Sequence, residues 1–360
     1  MELNKKRIAI LCNYQLLPER VGGMDAFFWQ FDAKCKENGI QVDWFFPNHS
    51  AHGGYADLTI YSNTTETIER YFLTFLKQNE FDYSHIITHF LELCTPFFKE
   101  VKQLSKAKIM AVDHNPRPLN GYPFEKRIKK KIKGFLYSKY IDTFIGVSDY
   151  TKKELIKDFG ILIKNKIQVI HNGIALDEIQ VRTKRNGNQP SFLTTSHLRP
   201  SKGIQDLIHA VYLLPEAIKN DLTIDLYGDG PYRKQLQNQV ESLGLTHCFR
   251  FMGSSSILKS IYCKYDYMLQ PTHMECFSLS ILESLAANVP VITTNVGGNE
   301  EAIINGINGY IFNAKDSSAL ATLLNDIYLG IKKIDLNTRS EIEKRFSLEQ
   351  MVENHIKLLN

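Results

Sequence analysis

Arg7-Ile8-Ala9-Ile10-Leu11-Cys12, then Met24, Phe27, Phe28, Phe31 and Cys35, then Gln41-Val42-Asp43-Trp44-Phe45-Phe46: this opening run decides how the whole chain is read. The first and last pieces are short and apolar, as strands buried on both faces must be. The middle set recurs at helical spacing, and Gly39 closes it. Strand, helix and strand in that order predict a parallel pair covered by its crossover. Lys5-Lys6-Arg7 imitates the start of a signal peptide. The apolar run stops at Asn13, however, which is short for a secretory core. A buried first strand is the reading adopted.

The alternation continues through the chain. Further strands are expected at 84–88, 108–112, 143–147 and 167–170, then at 191–195, 222–227, 249–252, 267–270, 289–293 and 310–312. Between the two series lies Arg182–Pro190, polar and without periodicity, which reads as an inter-domain linker. The fold class is therefore α/β, doubly wound, in two halves, and 360 residues are enough for both. A formal charge of +4 is too mild for a dedicated nucleic-acid binder. Six cysteines occur with no CxxC pair. Cys12 and Cys35 sit in apolar settings and read as reduced core residues, a usage that fits a cytoplasmic protein. No run approaches the ~18 apolar residues that span a bilayer.

Parallel sheets bind ligands beyond the C-terminal ends of their strands, so candidate chemistry is sought there. Strand 267–270 runs into Glu275-Cys276-Phe277-Ser278-Leu279-Ser280-Ile281-Leu282-Glu283. This is a strand-to-helix turn whose free amides suit a diphosphate. A carboxylate beside a phosphate is awkward unless it takes hydrogen bonds from hydroxyls, which points Glu275 and Glu283 toward sugar and ribose. The pattern alone also allows Glu283 to be a solvated helix residue. After strand 191–195 come His197, Leu198, Arg199, Lys202 and Gly203. Cations at a helix start neutralise a diphosphate, or else form a solvated basic turn. Gly228-Asp229-Gly230-Pro231 is a tight turn without the third glycine of a dinucleotide fingerprint. Gly297-Gly298 follows strand 289–293. In the first half, Gly22-Gly23 follows the first strand and His114 follows the strand at 108–112. His89 ends the strand at 84–88 and reads as structural.

Taken in order, Leu198-x3-Lys202-Gly203, Gly228-Asp229-Gly230-Pro231, Glu275-x7-Glu283, Pro290-Val291-Ile292 and Gly297-Gly298-x2-Glu301 resemble the retaining glycosyltransferases of family 4. Gly22-Gly23, Phe144–Ser148 and Val169–Ile174 agree, so the resemblance covers essentially the whole chain. It implies the GT-B fold, two Rossmann-like domains facing each other across a cleft. Residues 1–171 would form the acceptor side and 172–346 the donor side, with a C-terminal helix over 347–360 packing back on the first. It implies transfer of a hexosyl group from a nucleoside diphosphate to an acceptor hydroxyl with retention, in bacterial-type polysaccharide or glycolipid assembly.

By the same resemblance Glu283 binds the ribose hydroxyls and Glu275 lies near the donor sugar. The amides around Phe277, Ser278, Leu279 and Ser280 meet sugar or phosphate, and Lys202 binds the diphosphate. Gly22, Gly23, Gly228 and Gly230 let the backbone approach the donor. His114 aligns with the active-site histidine beside the transferred sugar. Thus His114, Glu275 and Lys202 are the catalytic candidates. The family's Arg-Leu reads His197-Leu198 here, so either His197 or the nearby Arg199 completes the phosphate clamp. No cofactor is implied, and without a DxD motif or a His/Cys ligand cluster no metal is required.

Lys126–Lys139 places Ile128, Ile132, Phe135 and Leu136 on one helical face and is densely basic elsewhere. Such a helix lies on an anionic membrane, on the inner face of the plasma membrane, or receives a lipid-linked diphosphate acceptor. A packed helix with a solvated basic face fits the pattern equally. Two other activities share the architecture: a nucleotide-sugar 2-epimerase, and a catalytically silent binding subunit of a glycan-assembly complex. His197 is the one feature that favours the latter.

Overall fold

The computed structural model describes residues 6–184, 189–335 and 337–360. The chain divides into two compact units, Met1–Gly173 with Leu348–Asn360, and Ile174–Ser347. Each is a parallel sheet wrapped by helices.

The first unit contains β1 (Arg7–Cys12), β2 (Gln41–Phe46), β3 (Thr59–Ser62), β4 (His85–His89), β5 (Lys108–Asp113), β6 (Thr143–Gly146) and β7 (Ile167–Val169). Their order across the sheet is β3-β2-β1-β4-β5-β6-β7. β1 and β4 are buried almost throughout, which explains their unbroken apolar runs. β3 has no such run because it is a half-exposed edge strand, and it escapes the sequence reading for that reason. The strand order reverses between β1 and β4, so a crevice opens beyond their C-terminal ends. There Cys12 pairs with His89, and His89 pairs with Val112 of β5. The C-terminal helix Leu348–Lys357 belongs to this unit and lays His355 against Phe27, with ring centroids 4.9 Å apart.

The second unit contains β8 (Phe192–Thr195), β9 (Ile224–Tyr227), β10 (Phe249–Gly253), β11 (Tyr267–Gln270), β12 (Val291–Thr294) and β13 (Gly309–Phe312), in the order β10-β9-β8-β11-β12-β13. Its reversal falls between β8 and β11. The segments that follow those two strands are therefore the ones the sheet brings to a crevice.

The linker expected at 182–190 is corrected. The chain passes from one unit to the other at Gly173–Ile174, and Arg182 is already built into the second unit. Its backbone N–H donates to the Ala287 carbonyl at 2.8 Å, and its guanidinium holds the buried Asp266 carboxylate at 3.0 Å. Arg182 is polar because it serves this buried ion pair, whereas Thr183, Lys184 and Gln189 are exposed; residues 185–188 lie outside the described residues. All six cysteines are free thiols, and only Cys263 is not buried. Among the described residues no helix is long and apolar enough to cross a membrane.

Candidate active site

In the second unit the segments after β8 and β11 are tied together by backbone and side chains. His273 donates its backbone N–H to the Ser201 carbonyl at 2.8 Å, and its ring pairs with Asp206. Gly203 sits where a Cβ would fall 1.8 Å from the Pro271 carbonyl oxygen, with φ at +70°. Only glycine allows so close a crossing. The crossing delivers Lys202 to Glu275, with Nζ 2.8 Å from Oε2. The other carboxylate oxygen accepts the Cys276 N–H at 3.1 Å. A second glycine, Gly297, packs against the Glu275 carbonyl, where a Cβ would intrude to 2.2 Å.

The helix that follows spans Leu279–Ala286, and its N-cap, Ser278, makes no side-chain cap. The Ser278 hydroxyl instead accepts from Gln270 at 2.7 Å and lies 3.0 Å from the Ser280 hydroxyl. Among the described residues, then, no side-chain cap occupies the first-turn amides, the groups through which a helix start binds an anion. Phe277 points inward, its ring 5.1 Å from that of Phe346. Only its backbone therefore faces the turn.

Glu283 takes a hydrogen bond from the Tyr262 hydroxyl at 2.9 Å. Tyr262 is fully buried, and its hydroxyl also lies 3.1 Å from Thr195 Oγ1 at the end of β8. Burial raises the Glu283 carboxyl above its ordinary pKa, with the Tyr262 bond opposing it. The sequence carries no sign of Tyr262, which lies in a short irregular segment without periodicity.

The glycine turn after β9 is locked onto the turn after β8. Leu198 donates to the Asp229 carbonyl at 2.9 Å, and Cβ atoms at Gly228 and Gly230 would come within 1.9 and 2.4 Å of the Ser196 and Leu198 carbonyl oxygens. These two glycines are required by packing inside the unit. His197 is exposed on this turn and is among the charges that lower the Asp229 carboxyl pKa, after the Gly230 N–H and Arg233. Arg199 is exposed; its carbonyl accepts the Lys202 N–H at 3.0 Å, while its guanidinium makes no hydrogen bond or ion pair among the described residues.

In the first unit Gly22 and Gly23 open the helix Gly23–Glu37. Asp25, fully buried, accepts from the Gly22 N–H at 2.8 Å, from the Tyr14 hydroxyl at 3.0 Å and from the Tyr55 hydroxyl at 2.6 Å. The glycine loop is thereby clamped in place. Gly22 has an extended backbone, and a Cβ there would meet nothing closer than 3.9 Å.

His114 follows β5, half-buried, with its Nε2 3.0 Å from Nδ1 of His89. Asp113 beneath it is held by Arg117 at 2.7 Å, and Arg117 also holds Asp158, with Nε 3.0 Å from Oδ2. Burial pushes the His114 imidazole down to about 4, so the ring is neutral near pH 7. The structure thus attaches His89 to His114. Two histidines at the C-terminal ends of adjacent strands were the available signal.

Two Rossmann-like α/β units of this kind constitute the GT-B fold. A solved Anabaena protein, in complex with UDP and glucose, shares it with a TM-score of 0.79 at 17% identity over 98% of this chain and 99% of that one. The chain matches the models "Glycosyltransferase Family 4" over residues 21–178 and "Glycosyl transferases group 1" over residues 176–341, and it belongs to this glycosyltransferase family. It is 29% identical over 234 residues to an uncharacterized glycosyltransferase of Methanocaldococcus jannaschii, 62% of each chain. It is 32% identical over 174 residues, 48% of this chain, to the GtfA subunit of the UDP-N-acetylglucosamine–peptide N-acetylglucosaminyltransferase of Streptococcus agalactiae, where the match spans 34% of that protein. The matched stretch is thus less than two thirds of either relative.

Proposed function

We propose that the protein transfers a sugar from a nucleoside diphosphate to an acceptor hydroxyl with retention of anomeric configuration, in polysaccharide or glycolipid assembly. The observation that carries this reading is the set built around the Leu279–Ala286 helix. Lys202 and Glu275 are joined at its start, its first-turn amides carry no side-chain cap among the described residues, and Glu283 is oriented by Tyr262. In the reaction the bond from C1 of the sugar to the β-phosphate oxygen breaks. A bond from C1 to the acceptor oxygen forms on the same face, and the acceptor proton passes to the departing phosphate. Negative charge grows on the diphosphate, and preorganised cations and amides stabilise it where it develops. Lys202 and the amides of Phe277 to Ser280 have that role, with Glu275 at the sugar, so the reading calls for no metal.

Tyr262 occupies one oxygen of Glu283, which leaves the other to accept from a ribose diol. Nothing within the fold demands a glycine at position 22, which supports close approach of a ligand there. Arg199, exposed and unengaged, is the better candidate than His197 for the second cation of the clamp. His114, neutral, offers a hydrogen bond to the transferred sugar. Calorimetric titration with UDP, GDP and ADP tests the site. One nucleotide should bind, and Lys202→Ala and Glu283→Ala should each weaken it about tenfold or more. Equal affinity in all three proteins would refute the assignment.

The acceptor side extends the reading to a membrane surface. The Phe124–Tyr137 helix packs through Gly134, where a Cβ would come 2.1 Å from the Phe159 carbonyl oxygen, and through Lys130, paired with Asp158. Its apolar residues do not face inward. Phe124 and Phe135 are each 73% exposed, and Ile128, Ile132 and Leu136 are exposed as well, alongside Arg127, Lys129 and Lys131. Ile161 and Leu162, also exposed, follow the same contact. An apolar stripe edged by cations suits an anionic bilayer. Phe124→Glu with Phe135→Glu should abolish co-sedimentation with phosphatidylglycerol vesicles. Undiminished binding would remove this part of the reading.

A further inference from the structure

The two side chains assigned to different parts of the donor, Lys202 to its diphosphate and Glu275 to its sugar, are bonded to each other. Nζ lies 2.8 Å from Oε2, and the side chains are only 23% and 17% exposed. Fully solvated pairs of this kind contribute little, but here both partners are held in place by their backbones. On the lysine side, the Ser201 carbonyl accepts from the His273 N–H at 2.8 Å and from the Thr272 hydroxyl at 3.2 Å. On the glutamate side, Gly297 packs against the Glu275 carbonyl, and the Gly298 N–H donates to the Cys276 carbonyl at 2.8 Å. The second carboxylate oxygen, Oε1, accepts the Cys276 N–H at 3.1 Å. Asp206, another carboxylate of this corner, is taken up by the His273 ring. Among the described residues Lys202 Nζ has no partner besides Glu275.

An ammonium group has three N–H donors and a carboxylate about four acceptor sites, so each partner keeps capacity for a ligand. Their charges nevertheless cancel, and the pair attracts a polyanion less than a lone lysine would. A nucleoside diphosphate that draws Lys202 to its phosphates deprives Glu275 of its cation. It leaves a partly buried carboxylate facing a second anion. A nucleoside diphosphate sugar compensates for that loss. Its sugar hydroxyls donate to the Glu275 oxygens, which releases the lysine N–H groups to the phosphates. The same carboxylate thus opposes the bare nucleotide and is satisfied by the conjugate.

We propose that Glu275 is a specificity-determining residue: by holding Lys202, it makes the site prefer the intact sugar nucleotide to the nucleoside diphosphate that transfer leaves behind. The proposal rests on the placement of Lys202 at the diphosphate and Glu275 at the sugar. Its consequence is product release. Once the sugar has left, Lys202 returns to Glu275 and the nucleotide is loosened.

The test is calorimetric, on the full chain, with UDP, GDP and ADP beside UDP-glucose, UDP-N-acetylglucosamine, GDP-mannose and ADP-glucose. Glu275→Gln keeps the shape of the side chain and removes its charge. Two anions that share one ammonium lie roughly 5 Å apart, where even the dielectric of water leaves a repulsion worth about threefold in affinity. The nucleoside diphosphate that binds the parent should therefore bind Glu275→Gln about threefold more tightly or better. Its tightest sugar conjugate loses hydrogen bonds to a charged acceptor, so it should gain less or bind more weakly. Unchanged or weaker binding of the bare nucleotide would overturn the proposal and leave Glu275 as a support for the lysine. An equal gain for nucleotide and conjugate would overturn it as well, because no discrimination would remain. Glu275→Met, uncharged and of similar length, replaces the glutamine variant if that one does not fold. Lys202→Ala separates the two claims. Nucleotide binding undiminished there would refute the placement of Lys202, whereas weakened binding there without a gain in Glu275→Gln would refute the proposal alone.

Discussion

Replacing Tyr262 by phenylalanine removes one oxygen from a fully buried ring and leaves the packing in place. Two contacts disappear: the 2.9 Å bond to Glu283 and the 3.1 Å contact with Thr195. A hydrogen bond to a charged group contributes about 1.5–3 kcal/mol, more than an ordinary one. For a domain of this size each kcal/mol moves Tm by about 2–4 °C, so a fall of roughly 3–12 °C is expected. The functional consequence is sharper. Burial already raises the Glu283 carboxyl, and the Tyr262 bond opposes that rise. Without it the carboxyl climbs further.

The ionised carboxylate is the form that accepts ribose hydroxyls, so donor affinity is full above the raised pKa and is lost as pH falls through it. Donor KM should therefore climb on acidification in both proteins, beginning at higher pH in Tyr262→Phe. The assay is donor KM from pH 4.5 to 8, beside thermal unfolding. Superimposable KM profiles with an unchanged Tm would refute the role given to Tyr262.

Glu283→Gln relieves the desolvated charge, so its Tm should equal or exceed the parent's even as calorimetry shows nucleotide binding weakened about tenfold or more. Gly297→Ala must accommodate a Cβ that would lie 2.2 Å from the Glu275 carbonyl oxygen at a φ of +66°. Urea unfolding should show a loss greater than about 1 kcal/mol, and donor KM should rise because Glu275 is displaced. Arg117→Met leaves the buried Asp113 without the cation that holds it, while Asp158 keeps Lys130, and about 3–5 kcal/mol of stability should disappear at neutral pH, read by urea unfolding.

The fold was legible wherever strands are buried on both faces, because burial writes an apolar run that no solvated segment copies. β3 shows the limit, since an edge strand such as Thr59–Ser62 has one side in solvent and no such run. The positions of Lys202, Glu275 and Glu283 were legible because each lies at a strand end or the helix start after it. What brings Lys202 to Glu275 was not, because it depends on a glycine crossing between segments about seventy residues apart. Tyr262 and the His89–His114 bond are likewise contacts between distant segments, and periodicity carries no record of them. Arg182 misled for a related reason. A buried ion pair and a solvated linker are equally polar in sequence, and only the partner, Asp266, distinguishes them.

The most direct measurement is release of nucleoside diphosphate from a panel of UDP-, GDP- and ADP-sugars, with the anomeric configuration of the product followed by NMR. The account predicts that one donor class is consumed, slowly by water and faster with an acceptor sugar or glycolipid. The product should retain the donor's anomeric configuration, and Glu283→Ala should be much weaker. Inverted product would contradict the retaining mechanism. Interconversion of the sugar while still attached to nucleotide would point to an epimerase. Tight binding of one donor with no turnover of any would contradict the central claim and leave a binding subunit.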